Sequence, residues 1–201
     1  MTELRGRQAR LALACAGALQ LLLAGCDGST ESPPAAERSA QATGVPWFAD
    51  VAAGRGLSFA HVSGASEELY FPEIMGGGAA LFDLENDADL DIYLVQSGRI
   101  AGGGNQPGNR LYRNDGAGLF EDLTEGSGAD DRGYGMGVTT GDADGDGFTD
   151  LYVTNVGPNA LLRNRGDGSF AVVSTQANVA HAGWGTSSAF VDTDQDGDLD
   201  L

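Results

Sequence analysis

One acidic run, Asp142-Ala-Asp144-Gly-Asp146-Gly-Phe148-Thr-Asp150-Leu151, limits what this chain can become, because it recurs. Asp192-Thr-Asp194-Gln-Asp196-Gly-Asp198-Leu-Asp200-Leu201 repeats its spacing, and Asp83-Leu-Glu85-Asn-Asp87-Ala-Asp-Leu-Asp91-Ile92 is a degenerate copy. Carboxylates at positions 1, 3, 5 and 9 of each run crowd four negative charges into one turn. At an effective dielectric near 20, a pair about 5 Å apart repels by roughly 3 kcal/mol, so the bare loop resists closing. A hard cation removes that conflict. Ca²⁺ takes six to eight oxygens at about 2.3–2.6 Å from flexible carboxylates and carbonyls, which a glycine-turned acidic loop can supply.

The spacing is that of the first half of an EF-hand loop, which also needs a bidentate Glu at position 12 and flanking helices. Position 12 is Val153 in the second run and Leu94 in the first, each inside an aliphatic, strand-like stretch. The ninth-position Asp must therefore replace the Glu, and the loop must join strand to strand. The expected calcium ligands are the side chains of Asp142, Asp144, Asp146 and Asp150 with the Phe148 carbonyl. In the third run they are Asp192, Asp194, Asp196 and Asp200 with the Asp198 carbonyl. A weaker or reshaped site uses Asp83, Glu85, Asp87 and Asp91, because Ala88 stands where the other runs have Gly147 and Gly197. A left-handed turn at an alanine costs about 1 kcal/mol. Magnesium suits a flexible, carboxylate-rich cage less well than the larger ion.

The runs lie in a repeat. Arg113 to Asp142 is 29 residues, Arg163 to Asp192 is again 29, and Asp142 to Asp192 is 50. One period reads as four short strands, near residues 135–140, 151–154, 160–163 and 170–173, with helical periodicity absent after residue 45. Arg113-Asn114-Asp-Gly116-Ala-Gly118 and Arg163-Asn164-Arg-Gly166-Asp-Gly168 read as hairpin turns, and Gly102-Gly-Gly104-Asn-Gln-Pro107 as an inserted loop. Four strands per 40–50 residues is the arithmetic of a propeller blade. The expected fold is all-β, a partial β-propeller of about three four-stranded blades over residues 46–201. Closed propellers need four to eight, so the chain reads as a fragment with open edges prone to pairing. Residues 57–62 read as a further strand. Residues 48–51 read as an outermost blade strand whose own blade is missing.

The first 25 residues read as a signal peptide, with Arg5, Arg7 and Arg10 before an apolar run too short to span a membrane. Leu23-Ala24-Gly25-Cys26 looks like a bacterial lipobox, which implies lipid on Cys26, a membrane anchor and an extracytoplasmic location, periplasmic or at the cell surface. A plain secretory signal or an uncleaved anchor is the alternative. Residues 26–45 are poor in large apolar side chains and read as a disordered tether. The only other cysteine, Cys15, falls in the segment to be removed, so no disulfide, zinc site or thiol nucleophile is expected. From Cys26 onward the chain carries 28 acids, 8 arginines and no lysine, a formal charge of −20. A phosphate polymer would be repelled, so nucleic acid is excluded as a partner. The three runs hold 14 of those 28 acids, which ties half the charge to the proposed cation loops.

Asp-x-Asp-x-Asp-Gly-x-x-Asp-Leu between small-residue and aliphatic strands resembles the FG-GAP/VCBS repeat, a calcium-loop propeller blade. Phe59-Ala-His61, Tyr70-Phe-Pro-Glu73-Ile-Met-Gly-Gly-Gly78 and Leu111-Tyr-Arg-Asn-Asp-Gly116 further resemble the CRTAC1-like proteins, which carry such a propeller and often an ASPIC/UnbV domain after it. The resemblance covers about residues 47–201.

Of the remaining candidates, His61 and His181 lack partners at a metal or catalytic spacing and read as structural or surface residues. Gly133-Tyr134-Gly135-Met136-Gly137 and Gly183-Trp184-Gly185 precede strands, so tight inner-strand packing is favoured over a phosphate cradle. Tyr134, Met136 and Trp184 are expected on a propeller face or in its core. The expected function is non-enzymatic: a calcium-binding, lipid-anchored module that binds a protein or glycan. The alternative is a propeller enzyme, such as a polysaccharide-active one, with its site in a part of the protein outside this sequence. No nucleophile, base–orienter pair or redox motif is legible.

Overall fold

The computed structural model describes residues 47–100 and 105–201. The signal peptide, Cys26 and the tether lie outside the described residues, as do Gly102 to Gly104 of the inserted loop. The chain divides into units Met1–Ala49 and Asp50–Leu201, and the strands among the described residues all lie in the second.

Its eight strands form two four-stranded antiparallel meanders. The first sheet is β1 (Ala79–Phe82), β2 (Asp91–Leu94), β3 (Arg110–Asn114) and β4 (Phe120–Asp122). The second is β5 (Tyr134–Gly141), β6 (Asp150–Val156), β7 (Ala160–Asn164) and β8 (Phe170–Val172). Sequence-neighbouring strands pair throughout, as short connections favour, and the all-β, partial β-propeller expectation holds. Two of the three expected blades are complete sheets. The third is represented by two antiparallel bridges, Val156 to Trp184 and Val191 to Asp200. Among the described residues, helix is confined to single turns, Ala53–Arg55, Phe71–Ile74 and Thr124–Ser127.

Alternation along the strands builds the core. Leu84, Tyr93, Val95, Leu111, Leu151, Val153 and Leu162 are fully buried, and Phe82 of the first sheet meets Phe170 of the second at 6.5 Å between ring centroids. The sheets approach through their first strands. A Cβ on Gly78 would lie 3.0 Å from the Gly137 Cα, and one on Gly137 would lie 2.7 Å from the Thr186 carbonyl oxygen. Glycine at these positions lets three successive inner segments pack backbone to backbone. Tyr134 and Met136 are buried in this layer, and Trp184 is half exposed, with its ring 5.7 Å from that of Phe71.

Two expected strands are not formed. Residues 57–62 have no ladder, because side chains take their backbone groups instead. The Val62 N–H donates to Gln96 Oε1 (2.6 Å), Gln96 Nε2 donates to the Ala60 carbonyl (3.0 Å), and the Tyr112 hydroxyl donates to the Ser58 carbonyl (2.6 Å). Residues 48–51 likewise form no strand. The first sheet has its four strands without them.

Candidate metal centres

Each acidic run connects the first two strands of its repeat, strand to strand. Asp91 opens β2 opposite Phe82, Asp150 opens β6 opposite Gly141, and Asp200 bridges to Val191 in the same register. Two left-handed residues turn each loop. They are Asn86 and Ala88 (φ 61° and 71°), Gly145 and Gly147 (71° and 92°), and Gln195 and Gly197 (63° and 98°). The alanine therefore adopts the strained conformation its position demands, at a cost of about 1 kcal/mol.

The turn folds the loop onto its first carboxylate. Asp142 Oδ1 and Oδ2 accept the N–H groups of Asp146 (3.1 Å) and Gly147 (2.9 Å), and the Phe148 N–H donates to Asp146 Oδ1 (3.0 Å). Asp83 receives Asp87 and Ala88 in the same way, and Asp192 receives Gly197 at 3.1 Å. Asp142, Asp144 and Asp146 each thereby offer a carboxylate oxygen within 4.8 Å of the others, and so do Asp192, Asp194 and Asp196. No metal-ligating group of three includes Asp83, Glu85 or Asp87, among the described residues.

The ninth-position aspartates stand apart from those trios. Asp91 and Asp150 are each 1% exposed, and both oxygens accept backbone donors. Asp150 Oδ2 takes the Ala143 N–H (3.0 Å), and its Oδ1 takes the Asn164 N–H (2.8 Å) from the β7–β8 hairpin. Asp91 does the same with Leu84 and Asn114. Asp91 and Asp150 thus each tie their loop to a hairpin of their own sheet. Burial pushes both carboxyls up despite these donors. Asp200, open to solvent, is held low by the Thr193 hydroxyl and N–H.

Hairpin arginines, which sequence reasoning did not assign to the loops, reach the third-position acids. Arg163 lies 3.5 Å from Asp144, and Arg113 lies 3.6 Å from Glu85 and 2.6 Å from Glu121. The 29-residue spacing was read from these same arginines without showing that they fold back onto the preceding loop.

The donor set fits a hard divalent cation. It is all oxygen, with three convergent carboxylates in the second and third loops. Asp192 Oδ1 is shielded from solvent without a hydrogen-bond donor, so it keeps its lone pairs free for a cation. Glu85 Oε2 is orphaned in the same sense, but its other oxygen faces Arg113, so the first loop fits a cation less well.

Asn109 and Asn159 were also missed. In each sheet an Asn side chain accepts a buried backbone N–H, from Gln96 (2.7 Å) or Asn155 (2.8 Å), and donates to a tyrosine hydroxyl, Tyr93 (2.9 Å) or Tyr152 (3.0 Å). The two histidines are surface exposed, and His61 Nε2 lies 3.4 Å from the Ser97 hydroxyl.

No curated protein matches the chain. The FG-GAP-like repeat matches it twice, over residues 83–153 and 142–201, each match beginning at the first aspartate of an acidic run. The matched stretches span more than half of the sequence, and each couples that run to the strands after it. The chain is therefore a member of the FG-GAP-like repeat family.

Proposed function

We propose that this propeller segment is a calcium-stabilised interaction module, lipid-anchored through Cys26 outside the cytoplasm, that binds a protein or glycan without catalysing a reaction. Asp142, Asp144 and Asp146 would hold one ion and Asp192, Asp194 and Asp196 another, with Asp150, Asp200 and the carbonyls of Phe148 and Asp198 completing the shells. The ion supplies positive charge that offsets carboxylate repulsion, and so fixes the loop on which the first two strands of a blade converge. The observation that carries this reading is the convergence of three carboxylates in two successive repeats. An open cleft of about 650 Å³, lined by Asn105, Gln106, Arg110, Glu125, Asp130 and Arg132, supports the ligand-binding half. Its amide and guanidinium donors suit a polar ligand.

Thermal unfolding of the full chain with Ca²⁺, Mg²⁺ and chelator tests the metal assignment. At calcium 100-fold above Kd, each filled site adds about 2.7 kcal/mol, which raises Tm by roughly 5–10 °C for a chain of this size. Asp146→Ala is expected to remove about half of the rise, and Mg²⁺ to reproduce little of it. A Tm indifferent to chelator sinks the assignment.

A further inference from the structure

The first loop does not gather its carboxylates, yet it is bound to the loop that does. Asn86 Nδ2 donates across the blades to the Gly147 carbonyl of the second loop, at 2.8 Å. A second link runs back. Asn164 is fully buried, and its Nδ2 donates both to the Leu84 carbonyl of the first loop (2.9 Å) and to the Thr149 carbonyl of the second (3.2 Å). The Asn164 N–H meanwhile holds Asp150 Oδ1 at 2.8 Å. One asparagine from each side therefore ties adjacent acidic loops into a single hydrogen-bonded unit.

The counterpart of Asn86 in the second loop is Gly145, which has no side chain to reach the Gly197 carbonyl of the third. The counterpart of Asn164 in the first sheet, Asn114, is partly buried, and among the described residues its Nδ2 donates only to the Leu90 carbonyl of its own loop. Among the described residues this wiring joins the first and second loops.

We infer that Asn86 and Asn164 are positioning residues that make the first loop a buttress for ion binding in the second, and not in the third. The inference rests on the calcium reading above. The Gly147 carbonyl belongs to the peptide whose other end carries the Phe148 N–H bound to Asp146, so fixing it fixes the turn that aims a ligand. A loop held in that shape before the ion arrives loses less conformational freedom on binding.

Asn86→Gly tests this without strain, because glycine accepts the left-handed φ of 61° and is the residue the second loop itself uses. Calorimetric titration with calcium alone is done on two full-chain backgrounds, Asp196→Ala, which leaves the second loop intact, and Asp146→Ala, which leaves the third. Adding Asn86→Gly should weaken calcium about three- to tenfold in the first background, the worth of one hydrogen bond, and leave the second unchanged. Equal affinity with and without Asn86→Gly in the first background overturns the coupling alone. An equal loss in both backgrounds overturns it too, since the effect would then be general. No calcium binding by the unsubstituted chain overturns the coupling together with the metal assignment.

Discussion

At the scale of the residue, a buried acid is most costly where its neighbours help least. Asp131 is half buried, and burial pushes its carboxyl above its ordinary value despite a donor from Asn155 Nδ2 (3.1 Å) and backbone N–H groups. The folded chain therefore holds this proton more tightly than the unfolded chain. Between the ordinary value and the raised one, stability falls as pH rises, and above both the loss is constant. Asn155 Oδ1, beside it, is buried with no donor at all. An amide at position 131 would carry no charge, accept from Asn155 Nδ2 and offer a donor to the orphaned oxygen. Asp131→Asn is expected to stabilise the chain by about 1 kcal/mol at pH 7 and to flatten its stability across the acidic window. Urea titrations at a series of pH values check both, and a variant less stable at pH 7 contradicts the account.

At the scale of the element, each meander is pinned where its second and third strands diverge. The N–H after β2 and the one near the end of β6 have no ladder partner there, and Asn109 and Asn159 supply one. The tyrosine each Asn orients then donates onward to the Ala129 or Val179 carbonyl, 2.7 Å away in both cases. Removing the Asn orphans a buried N–H, whereas removing only the hydroxyl leaves the Asn bonded to the backbone. Asn159→Ala should therefore cost about 2–3 kcal/mol and Tyr152→Phe about 1 kcal/mol, read as a lower urea midpoint at unchanged slope. The hydrophobic alternation that reveals β6 and β7 says nothing of this. Asn155 and Asn159 look like loop residues until the strands bring them together.

At the scale of the whole molecule, a formal charge of −18 works against compactness unless something offsets it. Two offsets are physically distinct. Monovalent salt screens exposed carboxylates over about 10 Å at 0.1 M, whereas coordination acts on one cage at a time. In chelator, raising NaCl should lift Tm by a few degrees; with calcium present the gain should be smaller, because the second and third runs, proposed to hold the ion, carry nine of the 29 acids. Equal salt gains with and without calcium would mean that the ion acts only by general screening.

What could be read along the chain was whatever repeats or alternates. Period-50 spacing, strand alternation and glycine-marked hairpins specify four-stranded blades, and the 1-3-5 acids mark the carboxylates that converge in the second and third loops but not in the first. Such features depend on local geometry, since a loop of nine residues folds on its own side chains. Cross-repeat partners are set only by how the sheets pack. Asn86 could not be matched with Gly147, nor Asn164 with Leu84, before the first strands were seen to approach through Gly78 and Gly137. Residues 57–62 show the same limit from the other side. Their pattern permits a strand, but Gln96 and Tyr112, brought near only by the folded sheet, claim the backbone groups a ladder would need. Sequence alone determined the local turn and its charge; the tertiary structure decided which groups, distant along the chain, satisfy one another, because a hydrogen bond acts only over the last few ångströms.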